Sequence, residues 1–261
     1  MKQNKFKPKL GQHFLTDEFV KLKIIEFVKK LNSKNILEIG PGEGSLTNDL
    51  IDLSSNYVGI EIDSNLFNKL SLKYKNNTNV HFINGDAANF DLRLLETFFK
   101  NNYILVGNLP YYSSNKIIRN FLSCNFRPTN LIVMMQKEVA DSYILSPPKM
   151  KFLSYCIQMY SYPELVMNVE PHSFSPEPNV ESSILNLIVK NIEEIPENSE
   201  KIIETVKQGF DSPRKKLTNS FKNFEKNLVI DTLNKLNINL NLRPGNLTLN
   251  DWKNIHKEIY D

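Results

Sequence analysis

Cysteine is nearly absent: the 261 residues hold only Cys124 and Cys156, each inside an apolar stretch. Two such residues make no disulfide framework, and histidines at 13, 81, 172 and 256 are too scattered for metal-ligand spacing, so neither a metal nor a disulfide is expected. No apolar run approaches the ~20 residues that span a bilayer. The opening Met1-Lys2-Gln3-Asn4-Lys5 lacks the apolar core of a signal peptide. The chain therefore reads as cytoplasmic, with no membrane partner. Charge imbalance is also small, at +3, too little to announce nucleic-acid binding by its sum. Its distribution says more, because lysines crowd the first nine residues and Arg214-Lys215-Lys216 form a second knot. With 41% hydrophobic residues, the chain can bury a full core as one large domain, or as one large and one small.

Beyond the basic start, Gly11-Gln12-His13-Phe14-Leu15 forms a loop before a helix. Thr16 is its expected N-cap, Asp17 and Glu18 suit the first turn, and Val20, Ile24, Phe27, Val28 and Leu31 share one apolar face. Next comes a strand, Asn35–Ile39, then Gly40-Pro41-Gly42-Glu43-Gly44, then a helix through Leu53. This is a nucleotide-binding βα unit, but a dinucleotide fingerprint wants a glycine where Ser45 stands, and Glu43 would repel a pyrophosphate. The spacing suits a ligand without phosphates, such as S-adenosylmethionine. A second strand ends at Glu61, about twenty residues beyond Gly40, where a carboxylate can hold both ribose hydroxyls. A third leads into Gly85-Asp86-Ala87, whose acid can accept from an adenine amine or simply cap a turn.

A fourth strand, Tyr103–Val106, runs into Asn108-Leu109-Pro110-Tyr111. The side chains suit chemistry on the exocyclic amine of a nucleobase: an amide oxygen to accept from N–H, a proline to stiffen the turn, a ring to stack on the base. A backbone carbonyl near Pro110 can assist, and no ionisable base is required. The same tetrapeptide would also serve as a turn that ends a strand. Later, Phe174-Ser175-Pro176-Glu177-Pro178 reads as a stiff extended loop that fixes Phe174, which can either pack or face Tyr111 across a base. Strand–helix alternation to residue 195 predicts an α/β fold with a doubly wound, mostly parallel sheet and an antiparallel strand late in the order. After Ile195 only helical patterns remain, giving domains at 1–195 and 196–261. One helix begins around Ile202, and Ser212–Leu217 is expected to open another. Thr248 and Asp251 cap the last, with Trp252 and Ile255 inward.

Taken together, Gly11–Leu15, Leu37–Gly42, Glu61-Ile62-Asp63, Gly85-Asp86-Ala87, Asn108–Tyr111, Gln136–Ala140 and the Phe174 loop resemble the small-subunit ribosomal RNA adenine N6-dimethyltransferase family (KsgA-type) over nearly the whole chain. The resemblance implies a Rossmann-like class I methyltransferase with a small C-terminal all-α domain. It implies S-adenosylmethionine held by His13, Leu15, Gly40, Gly42, Glu61, Asp86, Ala87 and Asn108. Asn108, Pro110, Tyr111 and Phe174 would serve catalysis, with Tyr111 and Phe174 as a stacking pair. Tyr112-Ser113-Ser114 departs from the family's usual Asn-Ile-Ser, which alters the target pocket there.

The implied partner is 16S ribosomal RNA within the immature small subunit, reached by a monomer whose Arg214, Lys215 and Lys216 bind RNA. Cations are unfavourable at a helix N-terminus, and a phosphate partner explains them better than helix stability does. The implied reaction is dimethylation of two adjacent adenosines in the 3′-terminal hairpin. Two alternatives stay open: a large-subunit methyltransferase conferring antibiotic resistance, and a non-catalytic assembly or transcription factor on the same fold.

Overall fold

A computed structural model describes residues 13–260, so the basic extension and the Gly11-Gln12 part of the first motif lie outside the described residues. The chain divides into two compact units. Residues up to Ala140 together with Glu164–Val189 form one, and Asp141–Pro163 together with the residues from Lys190 form the other. The division thus falls before residue 196, and it assigns to the helical unit a segment, 141–163, whose membership no local pattern announces.

In the first unit, β1 (Phe14–Leu15) precedes α1 (Glu18–Leu31), β2 (Asn35–Ile39), α2 (Thr47–Leu53), β3 (Asn56–Glu61), α3 (Ser64–Lys73), β4 (Val80–Asn84), β5 (Ile104–Asn108), α4 (Ser114–Ser123) and β6 (Asn130–Gln136). After α5 (Lys137–Tyr143) and α6 (Phe152–Gln158), the chain returns through β7 (Ser161–Val169), β8 (Phe174–Ser175) and β9 (Ser182–Val189). Seven strands form one sheet in the order β4-β3-β2-β5-β6-β9-β7. The β4, β3, β2, β5 and β6 pairings are parallel, and β9 runs antiparallel to β6. Ile36, Leu37, Leu105, Val106, Leu131 and Val133 are buried along their strands, as expected for a sheet covered on both faces.

The order fixes where a ligand can go. From β2 the chain winds outward to β3 and β4, whereas β5 returns to the other side of β2 and winds onward to β6. The crevice at the carboxyl ends of β2 and β5 is therefore the topological switch point. Gly40 follows β2, and Asn108 ends β5.

The cap of α1 lies one residue later than expected. Asp17 accepts from the amides of Phe19 and Val20, while the Thr16 hydroxyl donates to the Ser173 carbonyl instead. Ser173 Oγ donates to the other Asp17 oxygen at 2.9 Å. One carboxylate thus starts the helix and ties it to the 171–176 segment, where β1 and β8 pair as a two-stranded strap with Leu15 opposite Phe174.

In the second unit, α6, α7 (Ser199–Gly209), α8 (Lys226–Lys235) and α9 (Leu249–Tyr260) surround the fully buried Trp252. Rings of Tyr155, Phe210 and Phe221 pack at 5.9, 6.3 and 6.1 Å from it. Gly209 makes this possible, because a Cβ there would stand 2.2 Å from Trp252 Cη2. The expected α9 cap is present: Thr248 N–H donates to Asp251 Oδ2 at 2.7 Å and Asp251 N–H to Thr248 Oγ1 at 3.1 Å. The helix expected from Ser212 is not there. Arg214, Lys215 and Lys216 stand exposed in turns before a short 3-10 turn at Leu217–Asn219. Lys215 N–H closes a turn on the Ser212 carbonyl, and the Ser212 and Lys216 carbonyls lie within reach of Ser220 Oγ, so the segment closes on itself instead of elongating. These cations therefore mark no α-helix terminus, and their exposure is what remains.

Candidate active site

The switch-point crevice is lined by the strap at His13–Leu15, the glycine turn, Glu61, Ile62 and the whole of Asn108–Tyr111. Its floor is backbone. Gly40 and Gly42 take φ of +66° and +62°, values costly for any residue with a Cβ. At Gly42 a Cβ would also stand 3.1 Å from the Phe14 ring. The turn and strap thus touch directly.

Glu61 is the acid of this floor, 1% exposed at the end of β3. Gly42 N–H donates to its Oε2 and Asp63 N–H to its Oε1, both at 2.9 Å. A carboxylate oxygen has two acceptor sites, so each oxygen keeps one after being fixed. Burial pushes the Glu61 carboxyl above its ordinary range, against the two amide donors. A pair of acceptors on one carboxylate at the end of a buried strand matches a cis-diol. Ile62, 40% exposed at the crevice, offers an apolar face for a flat ring. The donor set therefore fits a nucleoside cofactor without phosphates. Among the described residues, no group of three His, Cys, Asp or Glu is placed to hold a metal ion.

The Asn108 amide is oriented by the strap. Its Nδ2 donates to the His13 carbonyl at 2.9 Å, and because a carbonyl only accepts, this contact leaves Oδ1 as the group offered to the crevice. His13 is itself held, its Nδ1 carrying the proton that reaches the Pro176 carbonyl at 2.7 Å. Leu109 N–H donates to the Met134 carbonyl at 3.0 Å, anchoring the turn to β6. The Pro110 carbonyl accepts from both Ser113 and Ser114, which fills it.

Tyr111 is fixed by a 2.7 Å contact between its hydroxyl and Ser182 Oγ. Burial raises its phenol pKa, with the Ser182 contact pulling the other way, so the ring is neutral at physiological pH. The ring it stacks on is His13, at 5.7 Å and 26°. Phe174 is elsewhere: it is 3% exposed, packed in the core with Leu15, and does not line the crevice. The expected Tyr111–Phe174 sandwich is not what the structure brings together, because pairing of β8 with β1 turns the Phe174 ring inward. Asp86 and Ala87 are not among the residues that line the crevice. Asp86 accepts from Ala88 N–H and Asn89 Nδ2 at 2.9 and 2.6 Å, which is the turn-capping arrangement.

Among the lining residues that sequence reasoning did not assign to the site, two bear on its chemistry. Ile62 is one. The other is Glu38, 3% exposed in β2 and part of the crevice lining. Thr47 Oγ1 donates to its Oε2 at 2.8 Å, and the Tyr57 hydroxyl donates to the same oxygen. Burial pushes its pKa up to about 7 despite both donors. An acid within an otherwise apolar strand, Asn35-Ile36-Leu37-Glu38-Ile39, was the available signal.

A family model described as ribosomal RNA adenine dimethylase matches residues 3–261. A ribosomal RNA small subunit methyltransferase A from Mycoplasma mobile is 35% identical over 260 residues, covering 97% of this chain and 98% of its own. A solved dimethyladenosine transferase from Plasmodium falciparum is similar with a TM-score of 0.79 at 26% identity, covering 93% of this chain and 96% of that one. The 23S rRNA methyltransferase ErmE is similar with a TM-score of 0.72 at 21% identity, covering 95% and 100%, a likeness of fold.

Proposed function

The chain belongs to the ribosomal RNA adenine dimethylase family, and from that premise we propose that S-adenosylmethionine and an extruded adenosine meet in the switch-point crevice. The protein is an S-adenosylmethionine-dependent enzyme that dimethylates adenines of small-subunit (16S) ribosomal RNA. When bound, the cofactor supplies an electrophilic methyl group on a sulfonium. Glu61 would hold its ribose, Gly40 and Gly42 would admit its backbone-hugging portion, and His13 and Leu15 would cover its methionine end. Asp86 and Ala87 would border its adenine, Asp86 through acceptor sites beyond its two present donors.

The observation that carries this reading is the orientation of Asn108. With its donor spent on His13, Oδ1 accepts from the N6 amine and draws the nitrogen lone pair out of the ring, while Tyr111 stacks on the extruded base. The adenine would enter the attack neutral, take up the positive charge that comes with the methyl, and discharge it as a proton to water. A monomethylated amine keeps one N–H for the same oxygen, so one constellation serves both transfers.

The finer reading is that the target is two adjacent adenosines of the 3′-terminal hairpin, met within the immature small subunit in the cytoplasm by a monomer. Among the described residues, no helix is long and apolar enough to cross a membrane. The helical unit would dock RNA through exposed Arg214, Lys215 and Lys216. Incubating immature small subunits with methyl-labelled S-adenosylmethionine and mapping the label tests all of this. Label on the paired adenosines is expected. Label in large-subunit RNA would move the assignment to the resistance-type activity, and tight binding without label would make the protein an assembly factor.

A further inference from the structure

The helical unit holds an open groove that none of this chemistry uses. One wall runs from Pro148 to Phe152, the other from Arg243 to Asn246, and Phe210 with Pro213 closes the end. The walls are tied through backbone. Met150 N–H donates to the Gly245 carbonyl at 3.1 Å, and Asn246 Nδ2 to the Pro148 carbonyl at 3.2 Å. A Cβ at Gly245 would stand 2.4 Å from the Met150 oxygen. Behind them the buried Tyr155 hydroxyl reaches the Pro244 and Leu247 carbonyls at 3.0 and 2.6 Å. The groove is preformed.

Two kinds of side chain line it. Lys149, Lys151 and Arg243 are exposed on its rims, and among the described residues no carboxylate forms an ion pair with them. Phe152 and Phe210 are half-buried rings 6.3 Å apart at 53°. Exposed lysines singly are ordinary surface, and half-buried rings singly are core margin. Three unpaired cations around two open rings form the combination that tracks single-stranded nucleic acid, with phosphates on the charges and a base on the ring. Duplex RNA keeps its bases stacked internally and cannot use the rings. An acidic peptide would use only the charges.

We propose that this groove binds a single-stranded stretch of ribosomal RNA, with Lys149, Lys151 and Arg243 on successive phosphates and an unpaired base stacked on Phe152. The choice of RNA rests on the substrate reading above. Pro213 lines the groove's end and directly precedes the Arg214–Lys216 turn in the chain.

The test titrates the full-length protein with a short fluorescent single-stranded RNA, with a duplex of equal length and with polyglutamate, between about 50 and 200 mM salt. Phe152→Leu should weaken single-strand binding by about 5- to 100-fold and leave its salt dependence unchanged. The triple variant Lys149→Ala, Lys151→Ala, Arg243→Ala should lower the salt slope by about 2, at roughly 0.7 per phosphate. The triple variant changes only exposed side chains, which keeps the test independent of any loosening by Phe152→Leu. Single-strand affinity indifferent to both variants would overturn the proposal, as would preference for the duplex or for polyglutamate. Methylation of immature subunits by the unaltered protein is scored separately. If it fails while variant-sensitive single-strand binding persists, the substrate reading falls and the groove stands; if it succeeds while binding ignores the variants, the groove alone falls.

Discussion

Asn108 and His13, 95 residues apart, meet through a 2.9 Å bond from the Asn108 amide nitrogen to the His13 carbonyl. The bond joins the Asn108–Tyr111 turn to the strap, and it sets which end of the amide is left to the crevice. It also separates positioning from acid–base chemistry, because a carboxylate at this place has no proton for His13 at neutral pH.

Asn108→Ala removes the acceptor and should lower turnover by about 10²–10³, as loss of other electrostatic stabilisers does. Asn108→Asp should be no better. Its carboxylate would confront the His13 carbonyl, two acceptors without a hydrogen between them, and the strap would shift. Single-turnover methylation across pH checks this. An Asp variant of near-normal rate that rises as the carboxylate ionises would make position 108 a general base and refute the positioning account.

Glu61 gives the cofactor prediction. Glu61→Gln keeps the shape but presents an NH₂ to one of two backbone N–H groups, Gly42 or Asp63, that now donate to the carboxylate. Both Gln and Ala variants should weaken S-adenosylmethionine binding by on the order of 1.5–3 kcal/mol for each charged hydrogen bond removed. Calorimetric titration returning the unaltered affinity would remove Glu61 from the site.

How far the sequence carried this site depends on the range of the signal. The crevice positions of Gly40, Glu61 and Asn108 were legible because each stands at the carboxyl end of its own strand, and strand ends are local features. The doubly wound sheet was legible for the same reason. Phe174 was misplaced because its direction is set by pairing of β8 with β1, some 160 residues away in the chain, which no local pattern encodes. Thr16 and Asp17 are both good caps; the choice fell to Asp17 because Ser173 takes the Thr16 hydroxyl. The basic turn at 214–216 was read as a helix start, since charge and propensity cannot show the Ser220 hydrogen bonds that close it.

Changing Arg214, Lys215 and Lys216 together to Ala should lower affinity for ribosomal RNA and flatten its salt dependence by about 0.7–0.9 for each phosphate no longer neutralised. Lys216 is the least free of the three, its Nζ donating to Asn241 Oδ1 at 2.6 Å, so its single variant should have the smallest effect. An unchanged slope of affinity against salt would return the cluster to ordinary solvated surface.

Glu38 links the site to stability. Its carboxyl, pushed by burial to about 7 in the folded protein against a reference of 4.5, binds its proton more tightly folded than unfolded. Below about pH 4.5 both states are protonated and the group contributes nothing to pH dependence. Between there and about 7 the unfolded chain ionises first, so stability falls as pH rises, and above 7 the loss levels off. The full loss from this group is on the order of 3 kcal/mol, at about 1.4 per pKa unit. Acids with lowered pKa values, such as Asp17 and Glu26, act in the opposite sense at lower pH, so the wild-type curve alone mixes the effects. Glu38→Gln isolates the one of interest: it cannot ionise, and its amide oxygen can still accept from Thr47 and Tyr57. Urea denaturation of both proteins from pH 5 to 8 should show the Gln variant gaining relative stability steadily toward pH 7 and no further beyond. Parallel curves would mean that Glu38 ionises at its ordinary pKa, through water entering the crevice.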